Sequence, residues 1–504
     1  MPNHQLSKVK INIIANYGGS AWNMLMNLAF VPLYIKFLGI ESYGLIGFFA
    51  ALQAVLSILD MGLSATFSRE MARLTVIPHS EQAMQNLVKT FSRIYWVIAI
   101  IVGMAFVCSA PLFAQHWLKS NISHETLQYA IMLMGIGMAL RWPSNVYGGG
   151  LQGLQRQVTL NIINMCLATL RGFGAVFILW LISPTIIAFF IWQLVINLLQ
   201  TLSYFVAVHH HIPKTLSPAR FDVVLIKNLW KFATGMAAIS VVATILTQMD
   251  KIVLSKLITL EQLGYYTLAG TIAYSLFGVV TPVASALFPR FSQLVAENNQ
   301  LVLEKLYHQS CQLVSLLVIP AATVIAFFSK DIIMLWTHNV SIAEYSHTIL
   351  SILIIGTTFN CLMQIPYQLQ LAYKWTSLTF YMNLCEIIVL IPLLLFFTNK
   401  YGPIGAASIW VIVNGAYIVC EIPLMHRRLL KKEMLKWYTV DIAIPLGITL
   451  FVVGFFHLAL PIPTHNFALA TYILMVSAIT LGITATFSPV TRDWFRIQFS
   501  AWRK

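Results

Sequence analysis

Three cations lie inside long apolar runs of this chain: Arg141, Arg171 and Lys251. An ionised side chain at the centre of a bilayer costs roughly 2.5–3.5 kcal/mol on insertion scales, so a charge held there needs a partner or a task. At about 1.5 Å per residue, Arg141 falls roughly 13 Å from one membrane face, Arg171 roughly 20 Å, and Lys251 deeper still. Cations at graded depths would replace part of the hydration of an anionic group without holding it at one level. Structural readings compete with this one. Asp60 is expected at the depth of Arg141, and the two could form an ion pair. Lys251 follows Asp250 and could pair with a neighbouring helix or snorkel to the interface. Arg171 has no acid of matching depth in the first half of the chain.

Uncharged polar residues recur at helical spacing in six of the apolar runs. The stripes are Asn12, Asn16, Ser20, Asn23 and Asn27; Gln53, Ser57, Asp60 and Ser64; and Asn161, Asn164 and Arg171. Three more follow: Gln193, Asn197 and Gln200; Ser240, Thr244, Gln248 and Lys251; and Asn360, Gln364 and Gln368. Steps of three or four put each set on one helix face. One such face reads as interhelical hydrogen-bonding glue. Six together read as the wall of a wet cavity, and amides suit hydroxyl groups. Two acids complete the inventory. Glu386 shares a face with Asn383 and could bind a proton or sodium ion, whereas Glu421 is expected to pair with Arg427 or Arg428 at the membrane edge.

The elements that carry these residues are transmembrane helices. The 504 residues are 58% hydrophobic and 10% charged, with a mean hydropathy of +0.77, against a charged share near a quarter in soluble domains. A crossing takes about 20 apolar residues. Fourteen such runs follow one another, from 12–38 to 466–488, with short connections. The segment MPNHQLSKVK has no signal-peptide cleavage pattern and leads straight into the first run, which is expected to act as its own insertion signal. The six cysteines sit mostly in apolar runs without CxxC spacing, and His209–His211 lies at the edge of a run, so neither a disulfide framework nor a metal site is expected.

A weak internal repeat organises the runs. Lys36-Phe-Leu-Gly-Ile-Glu41-Ser-Tyr-Gly44 aligns with Lys256-Leu-Ile-Thr-Leu-Glu261-Gln-Leu-Gly264, and Phe288-Pro289-Arg290 falls near the counterpart of Ser68-Arg69. The expected fold is all-α and integral to the membrane, with about fourteen transmembrane helices. Residues 1–208 form a first six-helix lobe, 209–231 a linker, 232–427 a second six-helix lobe, and 428–504 a terminal pair with a basic tail. An even number of crossings per lobe relates the lobes by a pseudo-two-fold axis along the membrane normal.

The net charge of +14 is a matter of topology and not of nucleic-acid binding. With both termini on one side, about 23 of the Lys and Arg fall on that face and about five on the other, so both termini are expected in the cytoplasm. Arg69, Arg73 and Arg290 then stand at the cytoplasmic mouth. The predicted external loops, Lys119–Glu125, Thr337–Glu344 and Pro461–His465, are too short for a catalytic domain. No GxxxxGK[ST] loop is present for nucleotide hydrolysis. These features point to movement of a substrate over an enzyme, with no cofactor.

Several segments carry a family resemblance. KINIIANYGG, VPLYIKFLGIESYGLIGFF, ILDMGLSATFSREMARL, GGGLQGLQRQ (148–157) and QMDKIVLSKLITLEQLGYYTLAG (248–270) resemble the polysaccharide-transporter family. Its superfamily includes the multidrug and toxic-compound extrusion antiporters and the lipid II flippase. The resemblance implies a flippase for undecaprenyl-diphosphate-linked oligosaccharide units of O-antigen or another surface polysaccharide. Such a flippase works by alternating access in the bacterial inner membrane. It also implies membrane lipids, a coupling proton or sodium ion, and a polysaccharide polymerase complex as partners. On this reading Arg171, Arg141, Lys251, Asn16, Asn23, Asn27, Asn164, Gln248 and Gln364 bind substrate, and Asp60 and Glu386 serve coupling or structure. The lipid II flippase implies one arginine group in the cavity, and here the cations are dispersed over separate segments. A cation-coupled drug exporter is the alternative, with a membrane glycosyltransferase or polymerase behind it.

Overall fold

The structure, a computed structural model, describes residues 2–60, 62–213, 215, 217–223, 241–242 and 244–489, with side chains from residue 15 onward. Residues 214, 216 and 224–231 of the expected linker, Ser240, the Asn12 side chain and the terminal cations from Arg492 to Lys504 lie outside the described residues. Contacts divide the chain into two compact units, Met1–Gly264 and Tyr265–Lys504.

In the first unit, α1 (Pro2–Leu56) carries two spans that part at Gly39, whose φ of 80° and ψ of 164° leave the helical region. Only glycine takes a positive φ there without strain. A 3-10 turn over Ser57–Asp60 and a left-handed Gly62 then separate α1 from α2 (Leu63–Leu74). The run expected to be continuous over 43–67 is therefore broken. Asp60 stabilises the break, accepting hydrogen bonds from the Ser64 amide at 3.2 Å, the Ser64 hydroxyl at 2.7 Å and the Tyr95 hydroxyl. After α3 (Glu81–Leu112), the fourth span is likewise split, into α4 (His124–Arg141) and α5 (Ser144–Gly153). Pro143 is the cause: it has no amide hydrogen and its ring collides with the preceding turn. Helices α6 (Gln157–Leu181) and α7 (Ile186–His211) complete the bundle. Phe67, Phe91, Tyr95, Trp142, Tyr147 and Tyr204 anchor its core.

Helix α8 (244–257) and the first turn of α9 (Leu260–Ala273) also pack within this unit. The Lys119 carbonyl accepts from the Leu260 amide at 2.9 Å, and its ammonium donates to the Leu257 carbonyl at 2.9 Å. The two copies of the repeat meet reciprocally here. A Cβ on Gly44 would stand 2.9 Å from the Gly264 nitrogen and 3.0 Å from the Leu260 carbonyl carbon, and a Cβ on Gly264 3.1 Å from the Ile40 carbonyl carbon. Gly44 and Gly264 are the aligned glycines of the repeat, so both copies keep the residue that permits backbone-to-backbone approach.

The second unit runs through α10 (Leu276–Ala296), α11 (Gln300–Phe327), α12 (Ser329–Thr337), α13 (Val340–Ala372) and α14 (Ser377–Ala416). Gly402, at φ 59°, divides α14 as Gly39 divides α1. A π-turn over Tyr417–Glu421 and α15 (Ile422–Leu429) follow. After α16 (Met434–Lys436) and a π-turn over Trp437–Ala443, the terminal pair α17 (Ile444–Ala459) and α18 (Asn466–Phe487) packs on α11. A polar bracket ties α11 to the segment that leads into this pair. His308 Nδ1 lies 2.5 Å from Asp441, His308 Nε2 lies 2.8 Å from Glu433, and Gln312 donates to Asp441 at 2.8 Å.

Among the described residues ten helical segments are long and apolar enough to cross a membrane. Two of them, Ala15–Asp60 and Ser377–Leu429, run to 46 and 53 residues, about twice what one crossing takes, and part at Gly39 and Gly402. With α4–α5 and α8 the crossings come to about fourteen. The chain is an all-α integral membrane protein.

Candidate functional site

A cavity of about 380 Å³ opens inside the first unit. The halves of α1 on either side of Gly39 supply Asn23 and Asn27, then Phe49 and Gln53. Arg141 closes α4, α6 contributes Asn164 and Arg171, and α7 contributes Gln193 and Gln200. Asn23 and Asn27 stand four positions apart, and Asn164 and Arg171, like Gln193 and Gln200, seven, so each pair shares one helix face. Phe30, Tyr34 and Phe189 give the wall an aromatic side.

Its electrostatics are one-signed. Arg171 donates to Asn197 and Gln200, each at 3.3 Å, and Arg141 donates to Gln53 at 3.3 Å. Among the described residues neither guanidinium has a carboxylate partner and no acid lines the cavity. Two like charges on amide acceptors in a low-dielectric setting leave strong attraction for an anion and none for a cation. The arginine fork also matches phosphate or carboxylate oxygens in pairs. Asn164 accepts from Tyr204, and Asn197 donates onward to the Gly137 carbonyl at 3.1 Å, which fixes the amide collar.

The expected residues distribute unevenly. Arg141, Arg171, Asn23, Asn27 and Asn164 come together in this cavity. Asn16 does not line it and accepts from Asn161 at 2.6 Å. Lys251 also lies elsewhere in the unit, donating to Gln248 at 3.3 Å. In the second unit Gln364 donates to Asn360 at 3.2 Å, and Asn360 to Asn414 at 2.7 Å, an interhelical chain between α13 and α14. Arg69 and Arg73 are exposed on α2. A forked bond from Arg73 to Glu70, the shortest arm 2.5 Å, raises the arginine's pKa. Arg290 is exposed on α10 and donates to Gln293 at 3.2 Å.

Two expected pairings are corrected. Asp60 does not hold Arg141; its oxygens are taken by Tyr95 and Ser64 because the helix break at 57–62 turns it toward α2 and α3. Glu421 does not meet Arg427 or Arg428. The π-turn carries it inward, where it is 2% exposed and accepts from Gln370 at 2.7 Å and Thr379 at 2.9 Å. Arg428 instead lies over the Trp375 ring at 4.3 Å. Glu386 accepts from Tyr417, whose hydroxyl oxygen also lies 2.7 Å from the Asn383 side-chain oxygen. Sequence reasoning missed Tyr34, Phe30 and Phe189, because an aromatic residue in an apolar run has no periodic signal of its own.

With this geometry established, comparison with known proteins gives the family. A model described as polysaccharide biosynthesis protein matches residues 35–337, more than half of the chain. The chain belongs to that family. A Shigella flexneri protein named "Putative O-antigen transporter" is 24% identical over 410 residues, 80% of this chain and 94% of that one. The fold is shared with the lipid II flippase MurJ in an inward closed conformation, at a TM-score of 0.69 and 16% identity, covering 96% of this chain and 99% of that one. It is shared too with an inward-facing multidrug-resistance MATE transporter of the MOP superfamily, at a TM-score of 0.66 and 14% identity over 82% and 96%.

Proposed function

We propose that this protein is a flippase that carries undecaprenyl-diphosphate-linked oligosaccharide units from the inner to the outer leaflet of the bacterial cytoplasmic membrane. The observation that carries the reading is the cavity of the first unit, where Arg141 and Arg171 stand without any acid among the described residues of its wall. A diphosphate entering it would exchange part of its hydration for two guanidinium forks, and the amide collar would meet sugar hydroxyls. The prenyl chain would stay in lipid, where each buried methylene is already stable. Alternating access would then expose the cavity to one leaflet at a time. Family membership and the Shigella flexneri relative support the substrate class.

A cation-coupled drug exporter shares the fold, but a cavity bearing two cations and no acid repels its substrates. Energy coupling is assigned to the second unit, where Glu386 is the site proposed to take a proton or sodium ion. The deciding experiment is deletion of the gene. Lipid-linked units accumulating on the cytoplasmic leaflet, with loss of surface polysaccharide, are the expected result, rescued by the wild-type chain and not by Arg171→Gln. Normal outer-leaflet delivery in the deletion strain would sink the proposal, and lost resistance to cationic drugs would favour the exporter.

A further inference from the structure

Beside the arginine cavity lies a second one of about 310 Å³, at the low end of the range for small-molecule sites. The two share Ala50, Gln53 and Arg141 as a common wall, and the second adds Ser57, Trp142 and Asn145. Both interrupted spans border it: the turn at Ser57–Asp60 and the break after Arg141. Interrupted helices at membrane depth are tolerated where they line a cavity.

The polar groups here are of a different kind. The Trp142 indole N–H is buried without a hydrogen-bond partner, on a residue only 6% exposed. Buried donors are rarely left so, and each exception calls for a reason. Trp22 and Trp117 in the same unit donate to Thr169 and Ser255, while Trp192 is also unpartnered but lines neither cavity. Asn145 is exposed to the second cavity and its side chain makes no hydrogen bond among the described residues. The Gln53 amide nitrogen is likewise unused, its oxygen being taken by Arg141. A neutral indole donor and two amides match hydroxyl and ether oxygens, not a phosphate.

We propose that this second chamber is a sugar subsite. Arg141 on the shared wall holds the diphosphate, and Trp142, with Asn145 and Gln53, hydrogen-bonds the sugar attached to it. Trp142 thereby discriminates a glycosylated lipid diphosphate from a bare one. The inference rests on the flippase reading, and its test separates the two.

Binding to the purified full-length protein in nanodiscs would be measured for farnesyl diphosphate alone. It would also be measured for farnesyl diphosphate carrying glucose, galactose, N-acetylglucosamine or N-acetylgalactosamine. The wild type is expected to prefer at least one glycosylated probe by roughly five- to tenfold, the contribution of one or two hydrogen bonds. Trp142→Phe, which keeps an aromatic ring and removes the N–H, should lose the preference and bind the glycosylated probes no better than farnesyl diphosphate. Asn145→Ala, at an exposed position, should weaken it and decides the matter if Trp142→Phe fails to fold. A preference retained in Trp142→Phe, or absent from the wild type for all four sugars, overturns the sugar subsite. Failure of the wild type to bind farnesyl diphosphate at all, or equal binding by Arg171→Gln, overturns the flippase reading beneath it.

Discussion

Arg141 and Arg171 owe their importance to what surrounds them. Each is held by amide oxygens at 3.3 Å, which orient a guanidinium without cancelling its charge. Replacement of either by Gln keeps a polar side chain of similar reach and removes the charge. Transport should fall roughly ten- to hundredfold, the loss of one charge-assisted contact, with protein still at normal levels in the membrane. Quantifying lipid-linked units in each leaflet checks this. Asp60 makes the contrast. Its loss in Asp60→Ala strands the buried Tyr95 hydroxyl and should lower stability by about 1–3 kcal/mol, read from thermal unfolding in detergent. Affinity for farnesyl diphosphate should persist, because Asp60 makes no bond to Arg141.

At the scale of elements, two glycine contacts and one polar bracket decide how helices meet. Gly44 and Gly264 bring the repeated segments to backbone contact. Val at either position cannot be accommodated by rotating a side chain, since the obstacle is backbone. Gly44→Val should open this packing and speed labelling of a cysteine placed at Thr259 by a membrane-impermeant maleimide; an unchanged rate would refute the contact. In the second unit, His308 and Asp441 are 3% and 0% exposed. Although burial raises the pKa of Glu433, Lys436 and His308 outweigh it and hold that carboxyl below its ordinary range. Removing the imidazole in His308→Ala leaves Asp441 buried with Gln312 alone, and should cost about 3 kcal/mol. Because the bracket joins α11 to the segment that leads into α17, limited proteolysis between α15 and α17 should accelerate as well.

For the whole molecule, the uneven distribution of Lys and Arg makes one further demand. In a cysteine-free background, single cysteines in the loops 119–125 and 461–465 should react with an impermeant reagent from outside the cell. Cysteines at Arg427 or Lys431 should react only after the membrane is opened. The reverse pattern would invert the topology, and with it the direction assigned to transport. Two units built from interrupted helices, each with a glycine break in its double-length segment, would suit the alternating access proposed above.

What the amino-acid sequence determined by itself is what depends on local pattern. Apolar runs of crossing length, their number, the basic excess and the glycine-bearing repeat are written residue by residue, because a bilayer reads hydropathy and charge segment by segment. The placing of Arg141 and Arg171 inside apolar runs followed from hydropathy, and the amide faces followed from spacing of three and four. Only the tertiary structure decided which polar residues share a cavity and which merely join helices. Asn164 and Asn16 carry the same signal, yet one lines the arginine chamber and the other accepts a bond from Asn161. Partner choice was equally hidden for Asp60 and Glu421. A 3-10 turn and a π-turn re-aim them, and such breaks depend on packing between helices far apart in the chain. Trp142 belongs to that class too: its unpartnered N–H exists only because the folded bundle surrounds it.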